Sequence, residues 1–204
     1  NTEHNNLALK TKTLIEENFT KNNSNPSKYH QNAYEKTLEK PYFFAALSAN
    51  GYDDRFDLAG NALALLLDFN LNIEEFENYL EYLNSIFQHW MLPVFYPIIF
   101  PKDDDWKLLA QNYNYDFKNN PFHFHNGGSW PIFLGWLCLG LNKKSNSKIS
   151  EKILLNFEKL LGLQTNPFNE YYTTDHLQAL GTNKLCFSAV GYLLMTIKNN
   201  AIKI

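Results

Sequence analysis

The sequence of 204 residues predicts an all-α protein built from two kinds of helix. The segments 73–90 and 151–161 carry apolar residues at steps of three and four, which is the spacing of helices that bury one face. The segments 56–68, 130–141 and 186–198 are apolar throughout and contain small residues, as expected of helices buried on most faces and packed closely. Because no segment alternates apolar and polar residues convincingly, we predict no regular sheet.

The N-terminal third of the chain is predicted to contain two helices, at residues 6–19 and 29–49. The helix at 56–68 follows an acidic segment, and acids in a first helical turn interact favourably with the helix dipole. We therefore expect the following three acids to open this helix: Asp53, Asp54 and Asp57. After the helix at 73–90, residues 94–100 are apolar enough for an extended segment, although prolines interrupt it.

The ends of the two C-terminal helices at 130–141 and 151–161 have recognisable signals. Ser129 is predicted to cap the first of them, with Pro131 near its first helical position. Ser150 is the expected N-cap of the second helix, and Gly162 its end.

The order of these helices favours two layers. Apolar and one-sided helices alternate along the chain, and the chemically rich loops precede the apolar ones. A two-layer α/α toroid requires this pattern, because its inner helices are surrounded while its outer helices face water. The predicted helices number about seven, too few to close a ring of six pairs, so we expect a ring that is cut.

The composition restricts the possible partners. A net charge of −3 without a basic run gives no reason to expect nucleic acid. No apolar stretch approaches the roughly 18 residues that span a bilayer, so no membrane partner is expected. Cys138 and Cys186 lie in apolar runs and are predicted to be buried free thiols, which favours a cytoplasmic location. The histidines lack metal-ligand spacing, and no cofactor-binding motif is present, so we expect neither metal nor cofactor.

The segment from His125 to Pro131, His-Asn-Gly-Gly-Ser-Trp-Pro, combines hydrogen-bonding groups, an indole and two glycines directly before an apolar helix. Adjacent glycines are typical of a tight turn or a close approach. A loop of this kind suits a sugar, which needs partners for its hydroxyls and a flat ring against which to stack. The alternative is a capped helix start with a buried Trp130.

Two charged residues are further candidates. Arg55 is the only arginine in a chain that otherwise uses lysine, which indicates a site that needs a planar guanidinium. Its alternative role is structural, bridging Asp54 or Asp57. Glu170 lies among aromatic residues between two helices, where its surroundings can orient a catalytic base. Its alternative is an ordinary glutamate at the rim.

Several blocks together resemble the alkaline/neutral invertases, glycoside hydrolase family 100, and bacterial proteins described as amylo-α-1,6-glucosidase or glycogen-debranching-like. Residues 51–57 and 60–64, Gly-Tyr-Asp-Asp-Arg-Phe-Asp and Gly-Asn-Ala-Leu-Ala, are similar to one family block. Residues 125–131 match the family's His-Asn-Gly-Gly-Ser-Trp-Pro at every position, and residues 170–172 match its Glu-Tyr-Tyr. Residues 188–193 resemble its Ser-Ile-Ala-Gly-Tyr-Leu, and the blocks occur in the family's order from about residue 40 to 195.

The resemblance implies that residues 1–204 form the C-terminal half of one glycosidase domain, the C-terminal portion of an (α/α)6 toroid. It implies inverting hydrolysis of an α-glucosidic bond, as in sucrose, with Glu170 as the general base. The general acid, an aspartate in the family, has no counterpart here and is expected from a missing N-terminal half. That half, or a second chain, would also cover the open face. The expected sugar-binding residues are Tyr52, Asp53, Asp54, Arg55, His125, Asn126 and Trp130.

One segment departs from the family. Where the invertases have Arg-Lys-Tyr-Gln-Thr-Trp, residues 182–187 read Thr-Asn-Lys-Leu-Cys-Phe, without the arginine and glutamine that contact sugar. Two alternatives to an invertase-like enzyme therefore stay open. One is an amylo-α-1,6-glucosidase or debranching-like activity, and the other is a half-toroid that binds carbohydrate without catalysis.

Overall fold

A computed structural model describes residues 2–21, 28–111, 115–145, 148–165 and 167–198 of the protein. The described part contains eight α-helices and five short β-strands. The helices are α1 (Thr2–Asn18), α2 (Gln31–Glu35), α3 (Leu58–Leu66), α4 (Ile73–Phe87), α5 (Trp106–Gln111), α6 (Pro131–Ser145), α7 (Lys148–Gly162) and α8 (Cys186–Thr196). The strands are β1 (Phe44–Ser48), β2 (Gly51–Asp57), β3 (Phe95–Tyr96), β4 (Tyr171–Tyr172) and β5 (Ala179–Leu180).

The protein is mostly helical, but the prediction that it is all-α is wrong. Strands β1, β2 and β3 form an antiparallel sheet in that order, and β4 pairs with β5. The helix predicted at 29–49 is helical only in α2, and residues 44–48 of it form β1. A tight turn between Ser48 and Gly51 returns the chain, and Gly51 adopts a φ of 121°, which residues with a Cβ rarely adopt.

Strand β2 replaces the predicted first turn of the helix at 56–68. Asp53 and Asp54 therefore lie in a strand, and their prediction as first-turn acids is wrong. Asp57 is the N-cap of α3, where its carboxylate accepts hydrogen bonds from the backbone N–H groups of Ala59 at 3.0 Å and Gly60 at 3.1 Å. The extended segment expected at 94–100 is a strand only over β3.

The three apolar helices of the described part pack together. Helix α6 packs between α3 and α8, the other two apolar helices. These three helices run parallel, because Lys143 near the end of α6 reaches the carbonyl of Leu66 and Asn142 reaches that of Ile197. The one-sided helices α4 and α7 lie outside them, joined by an ion pair of 2.7 Å between Glu81 and Lys152. The N-terminal ends of α3, α6 and α8 thus form one rim, called here the N-terminal rim.

Glycines allow the inner helices to approach closely. A Cβ on Gly135 of α6 would lie 2.8 Å from the Cα of Gly191 in α8, so the two backbones are in contact. On the other side of α6, a Cβ on Gly140 would lie 2.7 Å from the Cβ of Leu65 in α3. Close packing of α6 on both sides confirms the prediction made from its small residues.

Helix α8 differs from the predicted helix buried on most faces. It ends at Thr196, and its buried side consists of Ser188, Gly191 and Met195. Its opposite side is exposed and apolar, with exposed fractions of 45% for Phe187, 39% for Val190 and 60% for Leu193. Cys138 is buried as predicted, but Cys186 is exposed at the start of α8, so the prediction of a second buried thiol is wrong.

The predicted helix ends are partly correct. Pro131 begins α6 and Gly162 ends α7, as expected. Ser129 does not cap α6, because its hydroxyl is buried without a hydrogen-bond partner among the described residues. Ser150 does not cap α7 either, since α7 begins two residues earlier and the Ser150 hydroxyl donates to the side chain of Asn142. None of the described helices has the length and apolar character needed to cross a bilayer.

Candidate active site

Backbone hydrogen bonds join distant segments of the chain at the N-terminal rim. The N–H of Leu58 at the start of α3 donates to the carbonyl of Val94, whose own N–H donates to Gly128, both at 2.9 Å. Ser129 and Tyr172 exchange two further bonds, of 2.8 and 2.9 Å. The loop before α6 is therefore fixed between the β2–α3 junction on one side and β4 on the other.

A cavity of about 200 Å³ opens at this rim. It brings together four of the predicted site residues: Asp53, Arg55, His125 and Asn126. Its other walls are apolar and come from the β3 segment and α5: Phe95, Pro97, Ile99 and Leu109. The cavity thus combines a guanidinium, a carboxylate and an imidazole with apolar surfaces.

Arg55 is held by Asp53 across a short bulge in β2. The register pairs Phe44 with Phe56 and Ala46 with Asp53, so two residues of β2 oppose one of β1. Such bulges redirect side chains and are common beside active sites. The Nε and Nη2 atoms of Arg55 donate to the two carboxylate oxygens of Asp53 at 2.8 and 2.6 Å, a bidentate pair. The structural alternative for Arg55 had named Asp54 or Asp57, and the bridging partner is Asp53 instead.

This pair fixes the charge of both groups. Burial alone would raise the pKa of Asp53, but the hydrogen bonds and charge of Arg55 outweigh burial and hold it below its usual range. The hydrogen bond to Asp53 likewise raises the pKa of Arg55. The remaining terminal nitrogen of Arg55 lies 3.9 Å from a carboxylate oxygen of Asp105, a mostly exposed residue before α5. The sequence carried no signal for this contact. Asp105 is the last of three consecutive aspartates before Trp106, a pattern typical of an exposed helix start.

Three rings form a stack beside the cavity. The ring of His125 lies 5.0 Å from that of Trp130 with 9° between their planes, and Tyr171 lies 5.9 Å from Trp130 at 20°. Trp130 is only 6% exposed, and its indole N–H donates to the carbonyl of Phe124. His125 is the exposed ring of this stack, and it rather than Trp130 is available to a ligand.

The loop that carries His125 depends on its neighbours. Gly127 adopts a φ of 97°, and a Cβ on Gly128 would lie 2.7 Å from the backbone nitrogen of Phe124, which confirms the tight turn predicted from these glycines. The amide group of Asn126 is committed to backbone, accepting from Ile99 N–H at 2.8 Å and donating to the carbonyls of Ile99 and Asn119. Asn126 therefore joins the loop to the β3 segment.

Tyr52 and Asp54 do not line the cavity. The ring of Tyr52 packs against the rings of Phe19, Tyr34 and Phe44 in T-shaped contacts. Its buried hydroxyl has no hydrogen-bond partner among the described residues. Asp54 lies beside Tyr42, whose hydroxyl donates to the Asp54 carbonyl. Of these two residues, the ring of Tyr52 is packed away from the cavity, whereas the charge of Asp54 still acts on Arg55.

Glu170 lies directly before β4, whose first residue, Tyr171, belongs to the ring stack. Its half-buried carboxylate accepts a hydrogen bond of 3.0 Å from the backbone N–H of Thr182. Its charge acts on both His125 and Tyr171. Burial lowers the pKa of His125, and the negative charge of Glu170 partly offsets this effect. His125 thus connects Glu170 to the cavity around Arg55.

Within the described ranges, no group of three or more metal-ligating side chains could hold an ion. The fold and the rim define a helical protein with a polar and aromatic cleft where three inner helices begin. The alkaline and neutral invertase family, glycoside hydrolase family 100, matches residues 10–199 of the sequence. The chain belongs to this family, which confirms the resemblance found in its motifs.

Plant invertases are among the similar proteins. Alkaline/neutral invertase C, mitochondrial, of Arabidopsis thaliana is 29% identical over 135 residues, covering 65% of this chain and 19% of the relative. Alkaline/neutral invertase E, chloroplastic, of the same plant is 25% identical over 158 residues, covering 75% of this chain and 25% of the relative. Neutral/alkaline invertase 3, chloroplastic, of Oryza sativa subsp. japonica is 30% identical over 106 residues, covering 50% of this chain and 16% of the relative. The chain therefore spans a quarter or less of the length of these relatives.

Proposed function

We propose that residues 1–204 are the C-terminal half of the catalytic domain of a glycoside hydrolase, built as an (α/α)6 toroid, that hydrolyses a sucrose-type α-glucosidic bond with inversion. Family membership supports the chemistry. Two helix layers, with α3, α6 and α8 inside and their loops at one rim, support the toroid. The observation that carries the proposal is the position of His125, which lines the cavity with Arg55 and is also reached by the charge of Glu170.

Glu170 acts as the general base. One carboxylate oxygen, Oε2, accepts the Thr182 N–H, and Oε1 accepts no hydrogen bond within the described ranges, so it is free to hold a water molecule. The water oxygen attacks the anomeric carbon and its proton passes to Glu170, while the glycosidic C–O bond breaks and the leaving oxygen takes a proton from an acid. In inverting enzymes the two carboxyl groups stand about 6.5–9.5 Å apart to leave room for that water.

The acid comes from a part of the polypeptide N-terminal to this chain. Asp53 is unsuited to the role, because Arg55 lowers its pKa and keeps it ionised at neutral pH. Asp105 is mostly exposed and faces the same guanidinium. Without an acid, the glycosidic oxygen would leave as a poor alkoxide, so residues 1–204 alone are not expected to hydrolyse a glycoside.

The stereochemistry of the product tests this mechanism. On the intact polypeptide, NMR of freshly hydrolysed sucrose should show the sugar released first as the anomer opposite in configuration to the bond that was cleaved. Spontaneous mutarotation is the control, followed in the same tube after the enzyme has been removed. Net retention of configuration would exclude Glu170 as a base that activates water for direct displacement.

Arg55, Asp53 and His125 form the sugar-binding surface in this proposal. We expect Arg55→Lys to raise KM by about 10- to 100-fold, which corresponds to one or two lost charge-assisted hydrogen bonds. Lysine keeps the positive charge but cannot span both oxygens of Asp53 and also reach a hydroxyl. Steady-state kinetics and a thermal melt would be measured together. A collapse of Tm at unchanged KM would show that Arg55 has only a structural role.

An amylo-α-1,6-glucosidase or debranching-like specificity is the second candidate. The segment 182–187 favours it, because it lacks the family's arginine and glutamine and its first residue, Thr182, contacts Glu170. A substrate panel of sucrose, α-1,6-linked glucans and small glucosides separates the two activities. Binding without turnover of any of them would favour the non-catalytic half-toroid. The cytoplasmic location stays a prediction.

The exposed side of α8 is the surface that the N-terminal half, or a second chain, would cover. Phe187, Val190 and Leu193 follow one another at helical spacing and form an apolar strip. We expect residues 1–204 alone to dimerise or aggregate in size-exclusion chromatography. Leu193→Lys should reduce this association, whereas Leu155→Lys, on an equally exposed leucine of the outer helix α7, should not. A monomeric fragment with full activity would contradict two proposals: that another segment or chain covers α8, and that the general acid lies outside residues 1–204.

A further inference from the structure

Glu170 faces two backbone positions across the β4–β5 hairpin. The strands pair Tyr171 with Leu180 and Tyr172 with Ala179, and the same register places Gly181 opposite Glu170. The N–H of Glu170 donates to the carbonyl of Thr182, one residue further along, at 2.9 Å. Gly181 and Thr182 therefore oppose a single residue, in the manner of a bulge whose first residue is glycine.

Gly181 provides the space that the Glu170 side chain occupies. A Cβ on Gly181 would lie 2.7 Å from the Cβ of Glu170 and would also overlap its carboxylate. Gly181 has a φ of 74°, in the left-handed region where glycine carries no steric cost. This conformation places the next N–H, that of Thr182, 3.0 Å from the Oε2 atom of Glu170. Both the direction and the rotation of the carboxylate thus depend on residue 181 having no side chain.

We infer that Gly181 is a positioning residue that holds the carboxylate of Glu170 for its reaction, an inference that rests on the proposed role of Glu170 as base. A side chain at position 181 pushes the carboxylate away and breaks its hydrogen bond with Thr182. The carboxylate is then displaced relative to the water it must activate. A misplacement of about 1 Å can cost about 100-fold in rate. The proposed sugar-binding residues Asp53, Arg55 and His125 lie outside the hairpin in the chain, so we expect sugar binding to be retained.

Kinetics of Gly181→Ala in the intact polypeptide test the inference. We expect kcat to fall about 100-fold while KM stays within about threefold, a split that general destabilisation of the fold does not produce. Gly162→Ala is the activity control, because a Cβ at that position meets nothing within 4 Å. Gly51→Ala is the stability control, since Gly51 has a positive φ of 121° with only an ordinary contact of 3.5 Å.

NMR provides a readout that requires no turnover. The amide proton of Thr182 donates to Glu170, so its chemical shift should follow the titration of that carboxylate in the wild type and in Gly162→Ala. The titration should be absent in Glu170→Gln and lost or reduced in Gly181→Ala. A Gly181→Ala protein with wild-type kcat and an unchanged Thr182 titration would overturn the inference.

The variant Glu170→Gln separates a failure of this inference from a failure of the proposed function. If Glu170→Gln is inactive while Gly181→Ala is fully active, only the positioning role fails. If Glu170→Gln is fully active, the proposed base is wrong, and the positioning role fails with it. Should Gly181→Ala not fold, Thr182→Pro removes the donor and puts a ring carbon against Oε2 of Glu170 rather than against its Cβ. We expect the same loss of kcat at unchanged KM, and wild-type kcat would overturn the inference.

Discussion

We expect Glu170→Gln to lower kcat by about 10²- to 10⁴-fold while the free energy of unfolding changes little. Glutamine has nearly the shape of glutamate, and its side-chain oxygen can still accept the N–H of Thr182. It cannot take a proton from the attacking water, so the chemical step loses its base. The measurement is steady-state kinetics on the intact polypeptide, with urea denaturation of the same preparation.

Glu151→Gln is the matched control for this variant. Glu151 is an exposed glutamate in the first turn of α7, an outer helix, so the loss of its charge should leave turnover unchanged. If Glu170→Gln turns over substrate about as fast as Glu151→Gln, Glu170 is not the catalytic base. Its alternative role would then hold, that of a glutamate at the rim that only accepts the hydrogen bond from Thr182.

The second large effect is expected on stability, from Gly135→Ala. The new methyl group would lie 2.8 Å from the Cα and 2.9 Å from the carbonyl carbon of Gly191, and both are backbone atoms that cannot rotate away. Helices α6 and α8 must therefore separate. Overpacking of this kind typically costs about 1–3 kcal/mol. We expect at least that loss in the free energy of unfolding, measured by urea denaturation followed by circular dichroism.

Two control variants show whether the effect comes from the helix contact. Gly162→Ala adds the same methyl group at the end of α7, where it meets nothing within 4 Å, and alanine favours a helix over glycine by about 1 kcal/mol. Its stability should stay level or rise. Gly191→Ala approaches the same contact from α8, 2.6 Å from the backbone nitrogen of Ile132, and should be destabilised as Gly135→Ala is. Unchanged stability in both interface variants would contradict the close packing of the inner helices.

The helices were predictable because their signal is local. In α4, the buried residues Phe76, Leu80, Leu83 and Phe87 recur at steps of three and four, and this spacing is a property of consecutive residues. The division into buried and one-sided helices follows from the same local property, the spacing and number of apolar residues in each segment. Helix α8 is the exception, because the exposure of Val190 and Leu193 depends on which surfaces surround the helix and not on its own residues.

The strands were not predictable from their own residues. In β2 only Phe56 is fully buried, and the other residues are half-buried, so no alternation distinguishes this segment from a helix start. The strand forms because β1 and β3 pair with its two edges. Pairing between strands leaves no periodic signal in any one of them, and β3 is also distant from β2 in the sequence. Asp53 was consequently placed in a helical turn.

The sequence by itself identified the residue types of the candidate site: a single arginine, a loop with paired glycines and aromatic rings, and a glutamate beside two tyrosines. These signals are local combinations of residues. Only the tertiary structure decided that Arg55 pairs with Asp53, that His125 and not Trp130 carries the exposed ring, and that Tyr52 lies elsewhere. Contacts of this kind depend on strand register and on how loops dock, and neither is encoded in the pattern of residues along a single segment.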